Sequence, residues 1–236
     1  MLPFGLATRW HGLEGVITAP MDAVMTNPAL PCLRVAVMAM GLLMLLGCTA
    51  PPPEPAPKLL SADEAAARTV VPLTRSIALN KAGQVTDMEF ELPPAAEGEV
   101  PVLVVGLRVW GEDAKAALAN EERITERDLP ARVHLYAVRS GGAVEVPLTY
   151  AQRDMRSDEK VGPDGSVPHT TATGRVSGLR QAGLIEEKRV YAYRNFANWR
   201  PAVSGRYRLT IKLAEERPEL AGLDAELVIG YPSRSK

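Results

Sequence analysis

The chain has 236 residues, with 27 Lys and Arg against 28 Asp and Glu and a net charge of −1. That balance supplies no broad positive field and excludes nucleic acid as an expected partner. Two cysteines exclude a disulfide-rich scaffold and a four-cysteine zinc site, and 46% hydrophobic residues suffice for a core without either.

The first informative segment runs from Val35 to Leu46, apolar and uncharged, preceded by Arg34. A spanning helix needs about 20 apolar residues, whereas this stretch has the length of a signal-peptide apolar region, about 7–15 residues. Gly47 and Cys48 follow, then a segment with five prolines from Pro51 to Pro57. Leu45-Leu46-Gly47-Cys48 resembles the lipobox of bacterial lipoprotein precursors. The resemblance implies diacylglycerol on the Cys48 sulfur and cleavage after Gly47. Several acyl chains, at about 0.8 kcal/mol per buried methylene, hold where one chain is marginal. Thr49 stands where an inner-membrane retention signal would place aspartate, so the sorting rule implies the outer membrane, facing the periplasm. The membrane is then one partner, through the lipid, and no other cofactor is expected. A start at Met25 would give a leader of ordinary length. Cys32 leaves with the leader, so cysteine catalysis is excluded.

The expected organisation is a leader over 1–47, a lipidated cysteine and Pro-rich tether over 48–60, and one β-sandwich domain over 61–236. The tether favours extended polyproline II at about 3.1 Å per residue. Ser61 and Glu64 form an S-x-x-E capping box, which predicts a short helix over Ser61–Arg68. Strands are predicted at Leu73–Leu79 and Val85–Leu92, then at Pro101–Trp110, the most apolar. A helix is expected over Asp113–Glu126, and a hairpin joins Arg132–Arg139 to Ala143–Tyr150 through Ser140-Gly141-Gly142. Residues 152–188 read as one long irregular stretch, with a candidate strand at Thr173–Leu179. Gly205–Leu213 alternates throughout and Leu223–Tyr231 supplies its neighbour. The fold class is mainly β, a single antiparallel sandwich of immunoglobulin-like or related Greek-key type with one or two short helices. Gly205-x-Tyr207-x-Leu209 resembles the tyrosine-corner entry to a sandwich strand. The pattern G-R-Y-R-L-T-I-K-L, R-P-E-L-A-G-L and E-L-V-I-G-Y is similar to an uncharacterised domain family of Gram-negative lipoproteins, which implies no catalytic residue.

Chemistry-bearing motifs are sparse. His134 sits in a strand and His169 in a loop, with neither H-x-H nor H-x-x-x-H, so no metal ligands are assigned. Asp154, Asp158, Glu159 and Asp164 lack EF-hand spacing. One cluster stands out: Tyr191, Tyr193, Phe196, Trp199 and Tyr207, interleaved with Arg189, Arg194, Arg200, Arg206 and Arg208. Tyrosine, tryptophan and arginine dominate protein interfaces, and Asn195–Pro201, without clean alternation, reads as a loop. Tyr191, Tyr193, Arg194, Phe196, Trp199, Arg200 and Arg206 are therefore the candidate partner surface, with the irregular stretch 152–188 as the rest of the contact surface. The competing reading folds Tyr193, Phe196 and Trp199 back to plug one end of the sandwich. The functional expectation is a lipid-anchored periplasmic protein that binds another protein without catalysis. One alternative is an immunity lipoprotein against an antibacterial effector. Another is a periplasmic hydrolase using His169 with loop carboxylates.

Overall fold

Apolar residues recurring at every second position place one face of a strand against a core, and the segments 85–92, 131–139 and 205–213 follow that rule. The computed structural model describes residues 57–94, 101–154, 156–200 and 202–233. The lipobox Leu45–Cys48, the leader and most of the tether lie outside the described residues. Twelve strands are present among those described. They are β1 Leu73–Ser76, β2 Val85–Leu92, β3 Leu103–Gly111, β4 Ala131–Arg139, β5 Gly142–Val146, β6 Thr149–Ala151, β7 Asp158–Lys160, β8 Ser166–Val167, β9 Thr171–Ala172, β10 Val190–Trp199, β11 Gly205–Leu213 and β12 Ala225–Gly230. Two α-helices accompany them, α1 Ala62–Ala67 and α2 Ala114–Thr125. No described helix is long and apolar enough to cross a membrane.

The strands form two antiparallel sheets, ordered β1-β12-β3-β10-β6-β7 with β9 on β10, and β2-β11-β4-β5 with β8 on β4. Their facing sides enclose one core, to which β3 contributes Leu103, Val105, Leu107 and Val109 and β11 contributes Tyr207, Leu209, Ile211 and Leu213. The protein is thus a mainly β sandwich with few helices, as the alternation predicts. Spans β2 and β11 coincide with expectation, and α1 carries both halves of its capping box.

Four expectations need correction. Leu223–Tyr231 is not the neighbour of Gly205–Leu213: β12 lies between β1 and β3 in the larger sheet, whereas β11 lies between β2 and β4 in the other. The hairpin partner Ala143–Tyr150 is split: β5 pairs β4, but β6 has crossed to the other sheet beside β10. Thr173–Leu179 is not a strand; apart from a bridge between Val176 and Pro232, it is turns. Asn195–Pro201 is not a loop, since β10 runs on to Trp199. Its alternation breaks because the register against β3 shifts between Asn195 and Ala197. A bulge of that kind inserts one residue, Phe196, and reverses the face of everything after it.

The segment 173–189 covers the outer face of the larger sheet. Val176, Leu179 and Leu184 pack on Tyr193 and Val228 in a second small core, with Leu60 and Ala65 against it. This covering explains why all of Leu103–Val109 in β3 is buried: neither side of that strand faces water. Gly230 permits the close approach, since a Cβ there would lie 2.3 Å from Val176 Cγ1. Ser177 N–H donates to the Tyr231 carbonyl at 2.7 Å, and Leu60 N–H donates to that of Gly183 at 2.9 Å. Arg75 closes the far end of α1 by donating to Ala65 O at 2.8 Å, which also accepts from Arg68 N–H at 3.4 Å, and to Arg68 O.

Candidate binding site

One row of register partners crosses the larger sheet beneath the covering segment: Ser76, Glu226, Arg108 and Tyr193. Arg108 is 4% exposed, and a buried guanidinium requires a partner. Glu226 supplies it, with Oε2 2.6 Å from Nε and 2.5 Å from Nη2. Nη1 has no hydrogen-bond partner. The cation also lies 4.5 Å from the Tyr191 ring centroid, and Arg189 lies 4.8 Å from that of Trp110. Trp110 and Tyr191 meet at 6.1 Å, Tyr191 and Tyr193 at 6.4 Å. Three aromatic rings thus adjoin one another along this face, with Arg189 set against Trp110 and Arg108 against Tyr191.

Beside this stack opens a pocket of about 430 Å3, within the usual range for small-ligand sites, about 300–1,000 Å3. Arg175, Arg180 and Arg189 line it with Tyr191 and Tyr193, while Val176, Leu179 and Ile185 provide apolar wall. Burial pushes the Tyr193 phenol above its ordinary range, and the charges of Arg108 and Arg175 oppose that rise. Glu187 binds Arg180 at 2.8 Å and Glu186 binds Arg189 at 2.8 Å; neither glutamate lines the pocket. The Tyr191 hydroxyl accepts from Glu186 N–H at 3.1 Å.

The structure divides the candidate surface residues. Tyr191 and Tyr193 belong to the stack just described. Phe196 is 1% and Trp199 6% exposed in the main core, where the Trp199 ring meets Tyr207 at 4.9 Å. Arg194 turns toward α2, meeting Glu121 at 3.2 Å and donating to Thr170 O at 2.5 Å. Arg200 is exposed at the end of β10. Arg206 lies on the other sheet, where Nε is 3.0 Å from Glu89 Oε2. As a single exposed surface, the seven residues are overturned by their own register: Phe196 faces the main core like Ala192, the bulge then turns Trp199 to that same side, and β11 carries Arg206 to the second sheet. Among them only the aromatic pair Tyr191 and Tyr193 lines the pocket.

Arg108, Glu226 and Trp110 were not foreseen. A signal existed, since Arg108 and Glu226 are lone opposite charges in two otherwise apolar strands. Arg175 and Arg180 fall inside the irregular stretch 152–188 expected to share the contact surface, but no local pattern there singles out either one. His134 pairs with Glu145 at 2.7 Å on an exposed strand face. His169 lies edge-on to Tyr150 at 5.8 Å, and its buried Nε2 has no hydrogen-bond partner. The nearby Glu159 carboxylate accepts from Tyr150 and Gln152, bonds that, with the charge of His169, hold it below the usual carboxylate range. Among the described residues, no group of three His, Cys, Asp or Glu is placed to hold a metal ion.

No protein-family model and no curated protein matches the chain. A crystal structure of a protein from Sulfurospirillum deleyianum is similar over 69% of this chain and 98% of its own, at 12% identity and a TM-score of 0.43.

Proposed function

We propose that this chain is a lipid-anchored periplasmic protein, held at the outer membrane through Cys48, that binds another protein without catalysing a reaction. The lipobox and the Pro-rich segment after it support the anchor. The observation that carries the binding role is the pocket beside the Arg189, Trp110, Tyr191 and Arg108 stack. There, arginine and tyrosine side chains, the residue types that dominate interface energetics, line a concave space between β10 and the segment 173–189.

Two measurements test the two halves. Cells fed labelled palmitate should yield a labelled protein in the outer-membrane fraction, and Cys48→Ala should lose the label; an unlabelled wild-type chain, or one in the cytosol, overturns the anchor. Cross-linking in intact cells should capture one defined envelope protein. The Arg175→Glu, Arg180→Glu double variant should lose it while its thermal midpoint stays unchanged. Capture that is indifferent to those charges overturns the assignment of the surface.

A further inference from the structure

We infer that the pocket between Arg175, Arg180 and Arg189 is a receptor for a carboxylate carried on a short apolar or peptide stem. This deepens the protein-binding reading and rests on it for the surface, by naming the chemical group that the pocket takes.

The argument begins with the balance of donors and acceptors. The three guanidiniums are donors without acceptor capacity, and no carboxylate lines the pocket among the described residues. The Tyr191 hydroxyl oxygen already accepts from Glu186 N–H, which leaves its proton to give. Ser177 Oγ donates to Tyr231 O at 3.0 Å and is committed. Gln181 and Ser233 also line the pocket and can accept as well as donate, but the charged groups in the lining are all cations, which favours an acceptor-rich, negatively charged ligand. Planar guanidinium forks match carboxylate geometry with two parallel hydrogen bonds. Glu187 and Glu186 bind Arg180 and Arg189 from outside the lining, each to one guanidinium nitrogen; such exposed pairs are weak and leave the other nitrogens of both arginines for a ligand. Arg175 has no ion pair among the described residues. Apolar wall from Val176, Leu179 and Ile185 adjoins these cations. That wall suits an anion borne on carbon more than a free inorganic oxyanion, whose whole surface is polar.

Such a carboxylate has two sources, the free end of a polypeptide or a small organic acid. Titration calorimetry on the purified full chain in detergent distinguishes them with four probes: N-acetyl-trialanine with a free carboxylate, its carboxamide, succinate and inorganic phosphate. The acid peptide should bind saturably, and the carboxamide about tenfold more weakly, the loss expected when charge-assisted bonds disappear. Arg175→Ala and Arg180→Ala should each weaken the acid peptide by about tenfold with unchanged thermal midpoints. Tighter binding of the peptide than of succinate assigns a chain end, and the reverse assigns a free organic acid. Equal binding of acid and carboxamide, tighter binding of phosphate, no binding of either carboxylate, or indifference to both arginine variants overturns the inference. If the cross-linked partner is still lost with Arg175→Glu, Arg180→Glu while no carboxylate binds, the carboxylate assignment falls and the protein-binding reading stands. If carboxylates bind and no partner is captured, that reading falls instead.

Discussion

Arg108 and Glu226 stand 118 positions apart in the chain and face one another across β3 and β12, with Arg108 Nη2 2.5 Å from Glu226 Oε2. The pair sits under the segment 173–189, so its removal in halves and its removal as a whole have different consequences. Glu226→Ala leaves a buried cation without its counter-ion and should cost about 3–5 kcal/mol. The double variant Arg108→Met, Glu226→Leu should cost clearly less than Glu226→Ala, because apolar replacement of both partners leaves no unpaired charge. Urea unfolding of the two variants checks the order.

The Tyr207 hydroxyl donates to Val203 O at 2.7 Å, and its ring lies between Trp199 at 4.9 Å and Phe90 at 5.9 Å. Tyr207→Phe should lose about 1 kcal/mol, the net worth of one hydrogen bond. Trp199→Ala should lose about 3–5 kcal/mol through the cavity it opens. The adjacent Arg200→Ala, at an exposed position, should stay within about 0.5 kcal/mol. Thermal unfolding of the three separates the core role of Trp199 from a surface role.

Gly106 pairs with Asn195 just before the bulge, and a Cβ on it would lie 2.3 Å from the Arg194 carbonyl oxygen. Gly106→Ala should therefore push β3 from β10 and cost about 1–3 kcal/mol or more. Gly141, whose Cβ would meet nothing within 4 Å, gives the control; Gly141→Ala should change stability by less than about 0.5 kcal/mol. Denaturant midpoints decide.

Burial raises the Tyr193 phenol above its ordinary value. The folded state thus holds this proton more tightly than the unfolded chain, whose tyrosines titrate near about 10. Its contribution to stability is complete below that pH and is lost as pH rises through the higher folded value. Tyr193→Phe should show a shallower alkaline fall in stability than the wild type. An ultraviolet titration of the folded protein should also lose one late-titrating phenol in that variant. An unchanged alkaline limb would place the proton elsewhere.

How much of this was visible beforehand differs element by element. β2 and β11 were legible to the residue because each pairs along its length without a register shift, so alternation persists from end to end. The first helix was legible because its capping box is a contact three residues apart. β10 was not assigned as a strand, and its second half was read as a loop, for a local reason with a nonlocal origin: the shift at Asn195 and Ala197 exists only against β3. The split of β5 from β6 was hidden for a similar reason, since a turn signal says that the chain reverses but not which sheet it joins.

The sequence alone determined what short-range physics controls: the strand periods, the helix caps, the mainly β class and the expectation of a lipid at Cys48. Tertiary structure alone decided which aromatics are buried and which arginines converge. Trp199 and Tyr191 occur in one strand and look alike in sequence, yet one lies in the main core and the other beside an open pocket. Their fates depend on a bulge, on pairing between strands far apart in the chain, and on a turn-rich segment folding over the sheet. Each of those is a contact between residues that no local pattern relates.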